Sequence, residues 1–314
     1  MKILVVSRLK SNNKVSIITQ RQMESLQDLG HELVYFTVDK GGLVGYFKAY
    51  KKLRKLIKID DFDVIHAHYS LCGMISDIAG AKHLVVSLMG SDIKKNIFNR
   101  IITNYFIRKK WLKIIVKSDH MLTQIKRVRK VQNKIIVLPN GVDFNLFKPI
   151  DKNEARIQLG WKVEGKIVLF GSNPLRPEKR YEKAEKAINE ISSSKIPIEL
   201  KSLNNVQPKD IPLFLNASDL VLLTSDREGS PNIIKEAMAC NVPIVSTNVG
   251  DVEKVIGSTS GCIVVQENKV DLISRALFDV LSSKIKQTNG RDGIQWLSNK
   301  VIAKKLIEFY EKKV

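Results

Sequence analysis

The stretch Asp219-Leu-Val-Leu-Leu-Thr-Ser-Asp-Arg-Glu-Gly-Ser-Pro-Asn-Ile-Ile-Lys-Glu-Ala-Met-Ala239 holds the densest chemistry in the chain. An apolar run suited to a strand leads into a loop with Glu228 and Gly229. Ser230 can cap a following helix, and Pro231 suits its first turn. The first backbone N–H groups of a helix have no intrahelical acceptor and favour an anion. Gly229 lets that anion approach closely. Glu236, over a turn into the helix, can accept two hydroxyl hydrogen bonds, as from a ribose. The same residues also spell a well-capped helix with a solvent-facing Glu, and local chemistry leaves both readings open.

A second group of charges follows another apolar run, in Phe170-Gly-Ser-Asn-Pro-Leu-Arg-Pro-Glu-Lys-Arg-Tyr181. Arg176, Lys179 and Arg180 form either a solvated loop or a set of fixed cations facing a phosphate. His66 and His68 stand two apart on a strand and so share one face. They suit a metal pair, but no third ligand is evident, and a core histidine is the commoner fate. Asp61-Phe-Asp63 spells a D-x-D, which reads as polar residues leading into a strand, with no essential metal expected. Three cysteines, Cys72, Cys240 and Cys262, with no C-x-x-C, argue against a disulfide framework or a structural zinc and for a reducing, cytoplasmic setting.

These residues need elements to hold them. A length of 314 residues suits two domains, and 44% hydrophobic with 27% charged residues excludes a disordered chain. Strands are expected over 3–6, 32–36, 62–67, 84–88, 120–123 and 134–138, with helices over 16–29 and 101–116. After a turn-rich linker, a second series has strands over 166–170, 198–202, 220–224, 243–246 and 263–265. Its helices fall over 178–191, 231–239 and 301–312. This α/β alternation implies two Rossmann-like, doubly wound parallel-sheet domains facing a cleft. The domains are expected over 1–145 and 146–298, with a terminal helix over 299–314 packing back on the first. Ligands of such sheets bind beyond the carboxyl ends of the strands. The opening apolar run is too short for a signal peptide, and no run of about 18 apolar residues exists to span a membrane.

The net charge is +20. Residues 1–145 carry 26 Lys and Arg against 11 Asp and Glu, whereas 146–314 carry 26 against 21. Residues 48–58 form a basic amphipathic pattern, with Tyr46, Tyr50, Leu53 and Ile57 at helical spacing among lysines. The region 94–130 sets aromatic residues beside cations. Either segment suits an anionic lipid surface or a solvated helix face. No motif supports specific nucleic-acid binding.

Glu228 and Glu236, with Gly229-Ser230-Pro231 after the first, resemble the E-x7-E signature of glycosyltransferase family 4, retaining enzymes of the GT-B fold. Ile136-Val-Leu-Pro-Asn-Gly-Val-Asp143, Asp63-Val-Ile-His-Ala-His68, Val86-Ser-Leu-Met-Gly-Ser-Asp92 and Pro243-Ile-Val-Ser-Thr-Asn-Val-Gly-Asp-Val-Glu253 resemble further family segments over nearly the full chain. The resemblance implies that Glu228 contacts the donor sugar and that Gly229, Ser230, Pro231 and Asn232 collectively contact its diphosphate. Glu236 would hold the ribose and His68 would face the sugar. Lys179 matches the family's phosphate-binding Lys. The family's Gly-Arg pair is replaced by Ser172 and Asn173, so Arg176 would supply the guanidinium, with Arg180 a weaker substitute. The loop over 7–16 lacks the family's glycine pair, and Met89 stands where many relatives have His. Asp92 beside Ser91 would orient an acceptor hydroxyl or cap a helix.

The expected activity is retaining transfer of a hexose from a nucleotide diphosphate sugar to a hydroxyl of a lipid-linked or cell-surface glycan, as in polysaccharide or lipopolysaccharide assembly. The first domain would take the acceptor, at the inner face of the membrane. A soluble small-molecule acceptor and a non-catalytic nucleotide-sugar-binding subunit are the alternatives.

Overall fold

The computed structural model describes residues 1–9, 15–90, 92, 97–192 and 197–312. It divides into two units, Met1–Gly141 with Asn299–Val314, and Val142–Ser298. The remaining residues of the loop over 7–16, part of the region 94–130, and Ser91 lie outside the described residues.

The first unit holds a six-stranded sheet of β1 (Lys2–Arg8), β2 (Glu32–Val38), β3 (Val64–His68), β4 (Leu84–Ser87), β5 (Lys113–Val116) and β6 (Ile135–Val137). Its order is β2-β1-β3-β4-β5-β6, with every pairing parallel. Parallel strands covered on both faces become continuous apolar runs, and Ile3, Leu4, Val5 and Val6 of β1 are fully buried. The helices Gly42–Ile59 and Ser70–Ile78 bury Ala49, Leu53, Cys72 and Ile75 against β1 and β3. The helix Ile97–Lys109 and Trp111 pack on β4 and β5 through Val86, Ile107, Ile114 and Val116.

Two expected elements are corrected here. The helix expected over 101–116 ends at Lys109, and Lys113–Val116 is a strand. Ile114, Ile115 and Val116 are β-branched and prefer extended backbone, and they register with Ile135, Ile136 and Val137. The strand expected over 120–123 is a short helix, Asp119–Thr123. Ser118 starts it by accepting the Met121 N–H at 3.3 Å.

The second unit holds β7 (Lys166–Phe170), β8 (Ile198–Ser202), β9 (Leu220–Leu223), β10 (Ile244–Thr247) and β11 (Cys262–Val265). They are ordered β11-β10-β9-β7-β8 and again all parallel. The helices Tyr181–Ser192 and Val270–Ser282 close one face, burying Ala184, Ala187, Ile188, Leu277 and Leu281 on Val168, Phe170, Leu220 and Leu222. A buried ion pair anchors β7 and β9. Arg156 Nη2 lies 2.6 Å from Asp219 Oδ2, which also accepts the Ile167 N–H at 2.8 Å.

Candidate active site

In the second unit the strand order reverses between β7 and β9, with β8 on one side and β10 and β11 on the other. The loops leaving β7 and β9 therefore diverge at a topological switch point, where open parallel sheets open a crevice. The loop after β7 leaves against the helix Asn232–Ala239: a Cβ at Gly171 would sit 3.0 Å from Ile233 Cγ1. In place of the Gly-Arg pair, Asn173 Oδ1 accepts the Leu175 N–H at 2.8 Å and folds the loop locally. A single 3-10 turn, Pro177–Lys179, follows.

Three hydrogen bonds stitch this loop to the one after β9. Thr224 Oγ1 donates to Lys179 O at 2.9 Å and to Arg180 O at 3.0 Å, and the Asp226 N–H reaches Glu178 O at 3.1 Å. The stitching brings the buried Lys179 ammonium onto Glu228 Oε1, which also accepts from Ser225 Oγ at 3.0 Å. Arg176 is over half exposed and donates to Glu178 Oε1 from Nε at 3.0 Å and Nη2 at 2.6 Å. Arg180 pairs with Asp226 and lies 3.6 Å from Glu182. Lys179 and Glu228 thus meet, while Arg176 and Arg180 are held by neighbouring carboxylates.

The helix begins at Asn232, with Pro231 in extended backbone (ψ 116°) at its cap. Ser230 therefore does not cap it, contrary to the expectation from sequence. Its hydroxyl is drawn instead to a buried carboxylate, donating to Asp251 Oδ2 at 2.7 Å. Glu236 is half-buried in the second turn of the same helix. Gly250, at φ +65°, lets the loop after β10 press on this segment: a Cβ there would come within 2.7 Å of Gly229 O.

Asp251, Ser225 and Lys235 were not singled out by the sequence. Burial raises the Asp251 carboxyl, opposed by the Lys235 charge and the Ser230 bond. Burial brings the Lys235 ammonium down to about 8, opposed by Asp251 and Glu236. Among the described residues, Asp251 Oδ1 and Asn232 Oδ1 are buried with no hydrogen-bond partner. The signal for Asp251 was the acid directly after Gly250. Ser225 and Lys235 carried no signal that separates them from ordinary strand and helix residues.

In the first unit the order reverses between β1 and β3, and His66 and His68 close β3. Their rings stack with centroids 4.3 Å apart. His66 Nδ1 is 2.6 Å from Tyr310 Oη and its Nε2 is 2.8 Å from Ser87 Oγ. Burial pushes His66 down to about 3, and the Lys117 charge acts in the same direction. Burial, then His66 and Lys117, push His68 well below the ordinary range. Neither His68 ring nitrogen has a hydrogen-bond partner among the described residues. The His68 ring is fully buried with both nitrogens closed to solvent, so the structure does not present it to a sugar as the resemblance implies. Asp92 accepts from Ser70 Oγ at 2.9 Å and from the Met89 N–H at 2.7 Å, and burial raises its carboxyl. Asp63 Oδ2 accepts the Lys2 N–H at 2.6 Å and Asp60 takes the Lys2 ammonium at 2.7 Å, so these acids secure the edges of β1 and β3. No group of three or more His, Cys, Asp or Glu among the described residues is arranged to hold a metal.

Residues 5–146 match the family model described as Glycosyltransferase Family 4, and residues 162–293 match the one described as Glycosyl transferases group 1. An uncharacterised glycosyltransferase of Methanocaldococcus jannaschii is 25% identical over 80% of this chain and 75% of its own. The UDP-Gal:alpha-D-GlcNAc-diphosphoundecaprenol alpha-1,3-galactosyltransferase of Escherichia coli is 24% identical over 77% of this chain and 72% of its own. The crystal structure of Anabaena HepE in complex with UDP and glucose superposes with a TM-score of 0.79 at 17% identity, covering 98% of both chains, a likeness of fold.

Proposed function

The chain belongs to glycosyltransferase family 4, of GT-B fold, and on that premise we propose that it is a retaining hexosyltransferase acting from a nucleotide diphosphate sugar on a lipid-linked or cell-surface glycan. The donor's diphosphate lies at the start of the helix Asn232–Ala239, against Gly229, Ser230 and Asn232, with Pro231 shaping the turn. Glu236 takes the ribose hydroxyls. In the transfer, the anomeric C–O bond breaks and its electron pair leaves on the diphosphate. The acceptor hydroxyl oxygen takes the anomeric carbon with its configuration kept, and its proton passes to the departing diphosphate oxygen. Lys179 offsets the charge that builds on the leaving group, and Arg176 joins it by exchanging Glu178 for the phosphate. Glu228 contacts the sugar. No metal step is needed.

The observation that carries the reading is the meeting of Lys179 with Glu228 beside that helix start. A lysine ammonium has three donors. One bond to Glu228 fixes its aim and leaves two for phosphate oxygens. The E. coli relative, named for a diphosphoundecaprenol acceptor, supports a lipid-linked acceptor. The basic first unit suits an anionic membrane surface where such an acceptor would stand.

A thermal-shift panel of nucleoside diphosphates and their hexose conjugates tests the donor. A ligand at a hundred times its Kd stabilises the folded state by about 2.7 kcal/mol. The expected result is a rise with one base and a larger one with its sugar conjugate, followed by product of retained anomeric configuration on a polyprenyl-diphosphate glycan. No rise across the panel overturns the reading. Transfer only to small soluble acceptors overturns the acceptor assignment.

A further inference from the structure

The helix Gly42–Ile59 carries Lys48, Lys51, Lys52, Arg54, Lys55 and Lys58, and no acidic residue. Its inner face is satisfied by the core, through buried Ala49 and Leu53 with Tyr46, Tyr50, Leu56 and Ile57 packed against them. Positions 44, 47, 51, 55 and 58 then fall on the outer face, at spacings of three and four. The face of a surface helix opposite its apolar stripe is ordinarily charged and polar. Here Val44 is 70% exposed, Phe47 57% and Ile59 72%. The Lys51 ammonium lies 4.8 Å from the Phe47 ring centroid, so a cation and an apolar ring share one spot.

The topology fixes where this face lies. The helix follows β2 in a parallel sheet, so its first turns stand at the carboxyl edge of the strands, where β3 ends at His68. Burial pushes the Tyr46 hydroxyl up to about 12, and Asp92 and Tyr69 near that edge add to the shift. Successive right-handed crossovers from β2 to β5 put the helices Gly42–Ile59, Ser70–Ile78 and Ile97–Lys109 in one layer. The last of these also lacks acids and exposes Ile101 and Tyr105 near Arg100, Arg108 and Lys109.

We propose that this layer docks on an anionic bilayer, with Val44 and Phe47 entering the headgroup boundary and the lysines of Gly42–Ile59 engaging lipid phosphates. Charge complementarity selects the occupant. A cation-only helix face with apolar residues at its tip suits a surface that offers both phosphate and hydrocarbon. Its purpose rests on the lipid-linked acceptor proposed above, since the tip lies at the edge where such an acceptor's sugar must arrive. The docking itself needs neither donor nor acceptor.

Co-sedimentation of the full chain with phosphatidylglycerol–phosphatidylcholine vesicles tests it. Binding is expected at low salt, with release as salt screens the charges. Replacing Lys48, Lys51, Lys52 and Lys55 with Ser should weaken binding by about fivefold per lysine, equivalent to ~1 kcal/mol each. The variant Phe47→Trp should shift its emission to the blue on these vesicles and be quenched by bromine-labelled acyl chains. Melting points with and without UDP verify that the variants stay folded and report the second unit separately. Loss of the UDP response with vesicle binding intact would count against the donor reading alone. Three results would overturn the docking: no vesicle binding at low salt, Phe47→Trp emission unmoved by bound vesicles, or salt-sensitive binding to random duplex DNA in place of vesicles.

Discussion

At the scale of the residue, the environment decides which protonation state each group keeps. His66 and His68 are buried and neutral, with their proton affinities depressed by burial and by Lys117. A histidine whose folded pKa lies below its unfolded 6.5 contributes nothing to the pH dependence above 6.5. It costs stability as pH falls from there toward about 3, because only the unfolded chain takes the proton. For His66 this should amount to about 2 kcal/mol at about pH 5, at ~1.4 kcal/mol per unit, and His68 acts in the same direction. The melting point of the first unit should therefore fall between about pH 7 and pH 5. His68→Phe keeps a ring in the stack and should flatten that fall, as scanning calorimetry across pH will show. An unchanged slope would mean that His68 takes a proton in the folded chain. In the second unit, Lys179→Ala removes a cation aimed by Glu228 and Ser225. Removing one preorganised donor aimed at developing charge costs about 10²–10³ in kcat, whereas ground-state binding of the diphosphate also draws on the helix start. Steady-state kinetics should show kcat falling by that order with KM changed only a fewfold. Glu236→Ala should do the reverse, raising KM with kcat nearly kept.

At the scale of the element, the loops stand where they do because strands and helices hold their ends. The Asp219 carboxylate precedes β9 and receives Arg156, Lys152 and the β7 amide of Ile167. Burial opposes its charge, but the Lys152 bond, the Ile167 amide and the Lys152 and Arg156 charges outweigh that and hold its pKa below the usual value. Asp219→Asn would leave the Arg156 guanidinium, 1% exposed, without its counter-charge. Breaking one side of a buried pair costs about 3–5 kcal/mol, so denaturant unfolding should show the second unit losing that much. A loss under about 1 kcal/mol would show that the pair is relieved by solvent. The same elements show what the sequence makes legible. The strands of both sheets follow from unbroken apolar runs, and the loop over 225–231 from its Glu, Gly, Ser and Pro between a strand and a helix. The strand at 113–116 was hidden because apolar residues on either side of Trp111 continue a helical period until the β-branched run begins. Ser230 was misassigned because its competing partner, Asp251, is supplied by a different loop. Contacts between distant loops decide such residues, and a local pattern does not contain them.

At the scale of the molecule, the chain returns to the first unit after completing the second. The helix Asn299–Glu311 buries Ile302, Ala303, Leu306, Phe309 and Tyr310. Tyr310 also reaches His66 through its hydroxyl, and its carbonyl accepts from Lys113 Nζ on β5. Gly141, where the chain leaves this unit, fits only because it has no side chain: a Cβ would lie 2.5 Å from Asn299 Oδ1. Residues 299–311 are thus part of a core whose strands end over 150 residues earlier. Each large buried apolar side chain contributes about 1.5–3 kcal/mol, and a domain's whole stability is about 5–15 kcal/mol. Ending the chain at Ser298 removes Ile302, Leu306, Phe309 and Tyr310 together and uncovers His66, which is enough to unfold the first unit. The second unit is one continuous stretch with its own core, so it should keep its structure. Calorimetry of the shortened chain should show one transition lost and one kept. The kept transition should still rise with the nucleoside diphosphate that stabilises the full chain, while transfer activity vanishes. Were both transitions to survive, the return of the helix would be dispensable. Were both to vanish, the second unit would depend on the first for its stability.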